Sequence, residues 1–555
     1  MNQPQDYAQA LERARNLHSD GRLPEAEQAY RQLATDGEPG APHREAALKM
    51  LAELYVQSRR PEETIATLVA LTEEVPDSLQ YYVHLSGLLE MVGRSDVAIG
   101  HYRRLLKRQP QMAAAHFNVA LLYRKNRRYT QAIAAYEEAI RLGIGNVEEA
   151  WSNLGVTHSE MRQPEKAAEM YERALEVEPK YIPAMFNRAG LFEEAGQRAP
   201  ALELYERILA LKPDHSGALA RIAYAGKIRA DSSIPKRLEA AIERAGDDSP
   251  GREELSFALG KSLDDLGRYG EAFAMYRAAN ELGKLRQPPY DRQATEAAFG
   301  QLIGFFTAEW LERASTGSTE APVLICGMFR SGSTLLEQIL AAHPAVTAGG
   351  ETGTLSSLIA RRLSPYPERA RSATREELGK IGTDYLEKLR ELFPGGEVVT
   401  DKRPDNFLHL GLVKAMFPAA RIIYTRRNPE DNCLSVYFQQ LGNLPYATDL
   451  ANTAHYYRQH ERLMNHWQAL FPESIFTVDY DQPVRTPEPV IERLLKFLGL
   501  EWDERCLDFQ RSTKLVKTAS VWQVREALHT RSSGRWRNYE QFIDNLGRPE
   551  WISKA

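Results

Sequence analysis

The stretch that decides the fold of the second half of this chain is Val323-Leu-Ile-Cys-Gly-Met-Phe-Arg-Ser-Gly-Ser-Thr-Leu-Leu-Glu-Gln-Ile-Leu340. Its apolar start predicts a buried strand over 323–326, its glycines predict a turn, and a helix is expected to begin near Ser333. When a strand, a loop and a helix follow in this order, backbone N–H groups and the helix dipole favour an anion at the helix N-terminus. The stretch therefore predicts a phosphate-binding type of loop.

One position separates this loop from the loop of nucleoside triphosphatases. The spacing Gly327-x-x-x-x-Gly332-Ser333-Thr334 matches their motif, but Ser333 stands where they have a lysine. That lysine reaches the β- and γ-phosphates of a triphosphate. Arg330 is the cation within the loop. The pattern therefore indicates a nucleotide with a shorter anion and argues against an ATPase.

Length, charge and cysteine content restrict the class of protein. A chain of 555 residues is too long for one core, so two or more domains are expected. The net charge of −5 gives no general attraction to nucleic acid or membranes. Three scattered cysteines without a C-x-x-C pair argue against a disulfide framework or a zinc site. With neither a signal peptide nor a long apolar run, the expectation is a cytoplasmic protein without nucleic-acid or membrane partners.

Residues 1–286 show a repeat with a period of 34 residues. The segments that begin at Ala150, Ala184 and Ala218 align at this spacing, which is that of the tetratricopeptide repeat. Small residues such as Gly155 are expected where the two helices of a repeat approach closely. Helix pairs of this kind stack into a superhelix whose concave face commonly holds a peptide or protein segment. The expected division is a repeat array at 1–286, a connecting helix and linker at 287–321, and a second domain at 322–555.

The second domain has a different pattern, in which short β-rich runs alternate with helical ones. The predicted strands are 323–326, 398–400, 421–425 and 475–478. This alternation predicts an α/β domain with a mainly parallel sheet, so the complete chain is expected to be an all-α superhelix followed by a P-loop-like α/β domain. In such sheets a ligand site lies at the carboxyl ends of the strands.

Polar residues after these runs have plausible chemical roles. Glu351, between glycines downstream of the loop, is a candidate general base; the alternative is an acid that caps the next helix. Lys402, just past a strand, is a candidate donor to a developing oxyanion; the alternative is a solvated basic loop. Arg427 and Ser435 are eight residues apart and could hold one phosphate from two sides.

Four segments in the same order carry a resemblance to a known family. Phe329-Arg-Ser-Gly-Ser-Thr-Leu335 and Tyr424-Thr-Arg-Arg-Asn-Pro-Glu-Asp-Asn-Cys-Leu-Ser-Val-Tyr437 resemble the 5′-phosphosulfate loop and the 3′-phosphate motif of sulfotransferases. Val478-Asp-Tyr-Asp481 and Arg493-Leu-Leu-Lys-Phe-Leu-Gly-Leu500 are similar to that family's late strand and helix. The resemblance implies 3′-phosphoadenosine 5′-phosphosulfate (PAPS) as co-substrate and no metal. The cofactor-binding residues that it implies are Arg330, Ser331, Gly332, Ser333, Thr334, Arg427 and Ser435.

Within the family, the motifs of this sequence most resemble those of the tyrosylprotein sulfotransferases. The resemblance implies that Glu351 is the catalytic base, and that Arg330 and Lys402 stabilise the transferring group. The branch that acts on small molecules uses a histidine base, and His343 is here interpreted as a structural residue at a helix end. After Glu351 the chain reads Thr-Gly-Thr-Leu-Ser-Ser, where the tyrosylprotein enzymes carry arginines for acidic substrates. The acceptor is therefore left open.

A basic segment near the C-terminus, Lys514–Arg525 followed by Arg531–Tyr539, resembles the family's final cofactor segment. By that resemblance, Ser520 and Arg535 are expected to bind the phosphates of the cofactor, and Trp536 is expected to pack on the nucleotide. The alternative is a solvated basic tail.

The resulting hypothesis is a sulfotransferase that transfers a sulfuryl group from PAPS to a hydroxyl group. The expected acceptor is a tyrosine of a peptide or protein bound on the concave face of the repeats. One alternative is a carbohydrate or small-metabolite acceptor, with the repeats serving assembly, for instance as a homo-oligomer. The other is a non-catalytic scaffold with a vestigial nucleotide fold.

Overall fold

The structure, a computed structural model, describes residues 4–36, 38–247, 249–511, 515–518 and 521–544. It divides into two compact units, Met1–Asn187 and Arg188–Ala555. The predicted domain boundary at residue 286 stays a prediction, because residues 188–286 belong to the same unit as the α/β part of the chain.

The first unit is made of helices that pack side by side along the chain. Its core is a continuous apolar cluster of small and aromatic side chains that runs from Ala14 to Met170. A Cβ atom at Gly155 would lie 2.6 Å from the ring of Tyr171, so only glycine fits there and the expectation for small residues is confirmed at this position. The helices are α1 (Pro4–Ser19), α2 (Leu23–Thr35), α3 (Pro42–Gln57), α4 (Pro61–Glu74), α5 (Leu79–Met91), α6 (Ser95–Arg108), α7 (Ala113–Lys125), α8 (Tyr129–Arg141), α9 (Val147–Glu160), α10 (Pro164–Val177) and the start of α11 (Ile182–Glu194).

The second unit begins with further helix pairs of the same kind. A Cβ atom at Gly260 would lie 2.8 Å from the ring of Tyr276, which repeats the close approach seen at Gly155. The connecting helix expected within residues 287–321 forms two helices, separated at Phe306 and Thr307. The helices are α12 (Arg198–Leu211), α13 (Ser216–Tyr224), α14 (Ile234–Arg244), α15 (Pro250–Asp265), α16 (Tyr269–Lys284), α17 (Arg292–Phe305) and α18 (Ala308–Ala314).

The α/β part of this unit is built on a five-stranded parallel sheet with the order β2-β3-β1-β4-β5. The strands are β1 (Val323–Gly327), β2 (Val346–Ala348), β3 (Val398–Lys402), β4 (Arg421–Arg426) and β5 (Ile475–Asp479). The four predicted strands are confirmed, each within two residues. The edge strand β2 is missing from the sequence prediction, because three residues are too short to show a period of two.

Helices and 3₁₀ turns cover both faces of the sheet. The helices are α19 (Ser333–Ala341), α20 (Thr354–Arg362), α21 (Arg375–Leu392), α22 (Leu410–Met416), α23 (Pro429–Tyr437), α24 (Leu450–Leu470), α25 (Asp481–Arg485), α26 (Pro487–Leu498) and α27 (Glu540–Asp544). The 3₁₀ turns are Glu368–Ser372, Pro404–His409, Pro445–Thr448, Pro472–Ser474, Glu504–Cys506, Phe509–Arg511, Gln523–Arg525, Thr530–Ser532 and Arg535–Tyr539.

Alternate residues of the central strands β1 and β4 enter two different cores. Leu324 and Ile422 pack with the side chains of α21, α22 and α24 on one face, whereas Ile325 and Ile423 pack with α19 and α26 on the other. Both faces of the central strands are therefore buried, which is typical of a parallel sheet and explains their continuous apolar sequence. The strand order reverses at β1, so a crevice for a ligand is expected at the carboxyl end of this strand. In the part of the chain that the structure describes, each helix is too short or too polar to span a bilayer.

Candidate active site at the carboxyl ends of the strands

The loop between β1 and α19 needs glycine at both of its marked positions. Gly327 has φ +152° and Gly332 has φ +99°, which L side chains rarely adopt. A Cβ atom at Gly327 would lie 2.3 Å from the carbonyl oxygen of Thr425, and one at Gly332 would lie 2.5 Å from the ring of Tyr480. Helix α19 begins at Ser333, as predicted, and Gly332 at its N-cap has no side chain to occupy the first-turn amides. The loop therefore has the conformation that an anion at a helix N-terminus requires.

The hydroxyl residues of this loop lie at its buried side. Ser331 Oγ is hydrogen-bonded to Thr425 Oγ1 at 2.7 Å, which fixes the loop to the end of β4. Ser333 and Thr334 are also buried. These three predicted cofactor residues are thus held in the first turn of α19 and the turn before it.

The structure brings the predicted cofactor residues Arg330, Arg427 and Ser435 together. Arg330 Nε donates to Ser435 Oγ at 3.3 Å, and Arg427 Nη1 donates to the carbonyl oxygen of Arg330 at 3.1 Å. Arg330 has φ +68°, an uncommon conformation for a residue with a side chain. The guanidinium of Arg427 lies 4.9 Å from the centre of the Tyr480 ring. The loop after β1 and the loop after β4 therefore form one cationic cluster.

This cluster is suited to a bound anion for an electrostatic reason. Burial, followed by the positive charge of Arg427, lowers the pKa of Arg330 to about 10. Burial also lowers the pKa of Arg427. Within the described residues, the buried Nε of Arg427 has no hydrogen-bond partner. Because a bound phosphate would supply both an acceptor and a compensating charge, the side chains present fit the phosphate groups of a nucleotide.

Glu351 and Lys402 form an ion pair at the carboxyl ends of the strands, the side of the sheet on which the cationic cluster also lies. Lys402 Nζ lies 2.6 Å from Glu351 Oε1; the lysine side chain is fully buried and the glutamate side chain is 41% exposed. The interpretation of Lys402 as part of a solvated loop is therefore wrong. The interpretation of Glu351 as a capping acid is also wrong, because the N-cap of α20 is Gly353 and its first turn contains no acid. A buried cation next to an accessible carboxylate is an arrangement that can move a proton and stabilise negative charge.

Glu337, which the sequence interpretation missed, holds the backbone before Glu351. Its side chain is 1% exposed, and Oε1 accepts hydrogen bonds from the Gly350 amide at 2.9 Å and from Thr400 Oγ1 at 2.8 Å. The Gly350 carbonyl oxygen in turn accepts from the Lys402 amide at 3.0 Å. Gly350 is thus fixed from both sides. A carboxylate within the apolar run Leu-Leu-Glu-Gln-Ile-Leu was the signal in the sequence.

Replacing Glu337 with alanine is expected to destabilise the protein by about 1–3 kcal/mol, because it takes from the Gly350 amide and the buried Thr400 hydroxyl the carboxylate oxygen to which both donate. Glu337→Gln is the matched control, since its amide oxygen can still accept both hydrogen bonds. The measurement is urea-induced unfolding of both variants. Equal stability of the alanine variant and the wild type would contradict this role for Glu337.

The C-terminal residues lie partly within the described ranges. Ser520 is outside the described residues. Arg535 Nη2 lies 2.5 Å from Asp264 Oδ2, and its guanidinium carbon lies 5.5 Å from the centre of the Phe438 ring. Trp522 and Tyr539 are buried. In the described parts of the basic segment, residues 521–525 and 531–539, the interpretation as a solvated tail is therefore wrong, and binding of Arg535 and Trp536 to a nucleotide stays a prediction.

Two further observations concern the contacts of His343 and the arrangement of side chains that could bind a metal. His343 Nδ1 accepts from the Ala345 amide at 3.2 Å, and Nε2 lies 3.2 Å from the carbonyl oxygen of Glu501, so this residue holds the turn before β2. Within the described ranges, no cluster of three or more His, Cys, Asp or Glu residues has the arrangement of a metal site.

Family models match both halves of the chain. Residues 322–504 match the sulfotransferase family, and residues 88–147 and 148–181 match tetratricopeptide repeats. The chain thus combines tetratricopeptide repeats with a sulfotransferase-family domain, as the sequence predicted.

Three individual proteins illustrate these similarities. An uncharacterised protein of Aquifex aeolicus is 33% identical over 308 residues, which are 53% of this chain and 40% of that protein. Protein-tyrosine sulfotransferase 1 of Danio rerio is 24% identical over 197 residues, 33% of this chain and 55% of that protein. The chain therefore spans less than two thirds of the length of either relative. The sulfotransferase domain of the Synechococcus PCC 7002 olefin synthase is 20% identical and covers 41% of this chain and 95% of that domain, with a TM-score of 0.31.

Proposed function

Since residues 322–504 form a sulfotransferase-family domain in a chain with tetratricopeptide repeats, we propose that this protein transfers a sulfuryl group from PAPS to a hydroxyl acceptor. The acceptor that we propose is a tyrosine of a peptide or protein bound by the repeats. The observation that carries the proposal is the Glu351–Lys402 pair at the same sheet edge as the cluster of Arg330, Arg427 and Ser435. The cationic cluster is suited to bind the phosphates of the donor, and the Glu351–Lys402 pair is suited to assist the transfer of the sulfuryl group.

The donor would be held by the two loops of the cationic cluster. PAPS supplies a sulfuryl group joined to its 5′-phosphate through an anhydride oxygen. The amides of residues 331–334 and the side chain of Arg330 would bind the 5′-phosphate side. Arg427 and Ser435 would bind the 3′-phosphate. The buried Nε of Arg427, without a partner among the described residues, supports this assignment.

The acceptor would be activated by Glu351. Lys402 donates a hydrogen bond to Oε1 of the Glu351 carboxylate, so we assign Oε2 to accept the proton of the acceptor hydroxyl. As this hydroxyl oxygen forms its bond to sulfur, the bond between sulfur and the anhydride oxygen breaks, and the 5′-phosphate leaves with the electron pair. Lys402 Nζ and Arg330 would neutralise the negative charge on the transferring group and the departing phosphate. Catalysis then rests on positioning and fixed charge, as in phosphoryl transfer.

A carbohydrate or small metabolite is the second candidate acceptor. The observation in its favour is the segment after Glu351, where Thr352 and Thr354 are buried and the first arginine is Arg361, at the other end of α20. From residue 352 to residue 360 the segment lacks the cations that would suit an acidic peptide. A cytoplasmic location remains part of the proposal, in keeping with three buried cysteines that form no disulfide.

Two measurements on the wild type test this function. The first is calorimetric binding of 3′-phosphoadenosine 5′-phosphate (PAP), the desulfated form of the donor. The second is transfer from ³⁵S-labelled PAPS to a tyrosine peptide library and, in parallel, to a panel of sugars and phenols. Labelled peptides support the proposed acceptor, and labelling of the panel alone supports the second candidate. A wild type that neither binds PAP nor labels any acceptor contradicts the proposed function.

Replacing Arg427 with alanine is expected to weaken PAP binding by about 10- to 100-fold, because a hydrogen bond to a charged group contributes about 1.5–3 kcal/mol. The control is Arg426→Ala, which removes the neighbouring arginine, paired with Asp479 at 3.0 Å outside the cationic cluster. Binding of PAP to both variants is measured by calorimetry. Equal loss of affinity in the two variants would argue against a specific phosphate site at Arg427.

A further inference from the structure

The segment 521–544 lies between the repeat helices of the second unit and the cationic cluster. On the repeat side, Trp522 Nε1 donates to Glu193 Oε1 at 3.3 Å, and the Arg525 guanidinium donates to the carbonyl oxygen of Glu194. Gly196 makes room for this arginine, since a Cβ atom there would lie 2.8 Å from the Arg525 side chain. Both glutamates belong to α11. The segment is therefore anchored on the repeat helices at its first residues.

Asp264 of α15 anchors the segment at a second place. Its carboxylate lies 2.5 Å from Arg535 Nη2 and also accepts a hydrogen bond from the hydroxyl of Tyr539. Tyr539 is fully buried, and the Asp264 side chain is 13% exposed. Burial lowers the pKa of Arg535, but the charge of Asp264 and the neighbouring tyrosines raise it more, so that the net shift is upward. One repeat carboxylate thus holds two residues of the segment.

The opposite side of the same segment contacts the residues proposed to bind the donor. Gln523 Oε1 accepts from Arg330 Nη2 at 2.9 Å, and the carbonyl oxygen of Ser532 accepts from Arg427 Nη2. Asp431, four residues before Ser435 on α23, accepts from the backbone amides of Gly534 and Trp536. The segment therefore touches both arginines of the cationic cluster and the helix that carries Ser435.

An apolar cluster joins the same three parts of the molecule. It contains Ala225 just after α13, Val521 and Trp522 of the segment, and Leu335 of α19, the helix that begins in the anion-binding loop. Packing and hydrogen bonding therefore connect the repeats to the loop through the same short stretch of chain. A shift of the segment relative to the repeats would move groups that contact Arg330 and Arg427.

From these contacts we propose that Asp264, a residue of the repeats, is a positioning residue of the donor site. It acts through Arg535 and Tyr539, which hold the segment that orients the two arginines. The repeat helices of residues 188–286 would then complete the donor site, in addition to any part they have in binding an acceptor. This inference rests on the proposed function, because it explains how the site obtains its affinity for PAPS, the proposed donor.

The test uses the full chain with Asp264→Ala, and PAP as the probe. PAP binding is expected to weaken by at least about fivefold, which is a usual size for coupling between distinct sites. The rate of transfer at saturating PAPS is expected to fall by a smaller factor than the affinity, since Glu351 and Lys402 are not moved and, of the groups assigned to the transfer step, Arg330 is the one that contacts the segment. The KM for PAPS should therefore rise by a larger factor than kcat falls. Glu271→Gln is the matched control, because Glu271 is an exposed acid on the next helix that pairs with Arg268.

Two further variants keep the test informative if Asp264→Ala folds poorly. Tyr539→Phe removes one hydrogen bond to Asp264 and retains the packed ring, so a smaller rise in the Kd for PAP is expected. Asp264→Glu retains the charge and is expected to recover part of the affinity lost in Asp264→Ala. Unchanged PAP affinity in folded Asp264→Ala and Tyr539→Phe, in a wild type that binds PAP, overturns the inference and leaves the proposed function standing. Absence of PAP binding and transfer in the wild type overturns both.

Discussion

Replacing Glu351 with glutamine is expected to lower the rate of sulfuryl transfer by about 10²- to 10⁴-fold, the usual contribution of a positioned general base. Glutamine still offers an oxygen to Lys402, so the buried ammonium keeps a partner and the fold is retained. The amide cannot take the proton of the acceptor hydroxyl. PAP affinity is expected to be unchanged, because Glu351 lies outside the cationic cluster. Single-turnover transfer from labelled PAPS and PAP calorimetry provide the two measurements.

The control for this prediction is Glu391→Gln on α21. Glu391 is an exposed acid that pairs with Lys388 on the surface of that helix. It should transfer sulfuryl groups at the wild-type rate. Wild-type turnover by Glu351→Gln would show that another group accepts the proton. A loss of PAP binding in the same variant would show instead that the substitution disturbs the donor site.

Replacing Lys402 with methionine is expected to lower kcat by about 10²- to 10³-fold, the usual effect of removing one donor to a developing oxyanion. Methionine fills a similar volume without the charge, so the fully buried position is left without an unpaired polar group. The carboxylate of Glu351 is 41% exposed and can be hydrated after the change. Thermal unfolding should therefore shift little, while turnover falls steeply.

Lys388→Met, the exposed partner of Glu391, is the matched control for the lysine. The double variant Glu351→Gln/Lys402→Met adds a further criterion. Since the two side chains are in contact and are assigned to one step, their effects on kcat should be less than additive. Full additivity would indicate that they act on separate steps, and an unchanged kcat in Lys402→Met would remove this lysine from the mechanism.

Much of the fold was predictable because the relevant signals are local. Gly327 and Gly332 indicate a loop, because their backbone conformations exclude most other residues. The apolar run before them predicts a buried strand. The 34-residue period predicts stacked helix pairs, because each pair must bury its apolar face against the next. The strand β2 escaped prediction because three residues carry no measurable period.

The candidate site was predictable as a set of residues but not as a set of contacts. Arg330, Arg427, Glu351 and Lys402 stand in motifs that can be read from short stretches of sequence. That Arg330 reaches Ser435 depends on the parallel register of β1 with β4, and that Lys402 pairs with Glu351 depends on the parallel register of β2 with β3. Glu337 was missed because its role is visible only once Gly350 and Thr400 lie beside it.

The sequence by itself determined the two kinds of architecture, the order of four of the five strands along the chain and the motifs at the carboxyl ends of those strands. These properties follow from residues a few positions apart, whose spacing and backbone preferences act locally. Only the tertiary structure decided that Asp264 of α15 meets Arg535, 271 residues later, beside the cationic cluster. No local preference links two such positions. The packing of α16 against the C-terminal segment and α23 places them together: Tyr276 stacks on Phe438, and the ring of Tyr539 lies against Phe438 and Phe273, which removes aromatic surface from water.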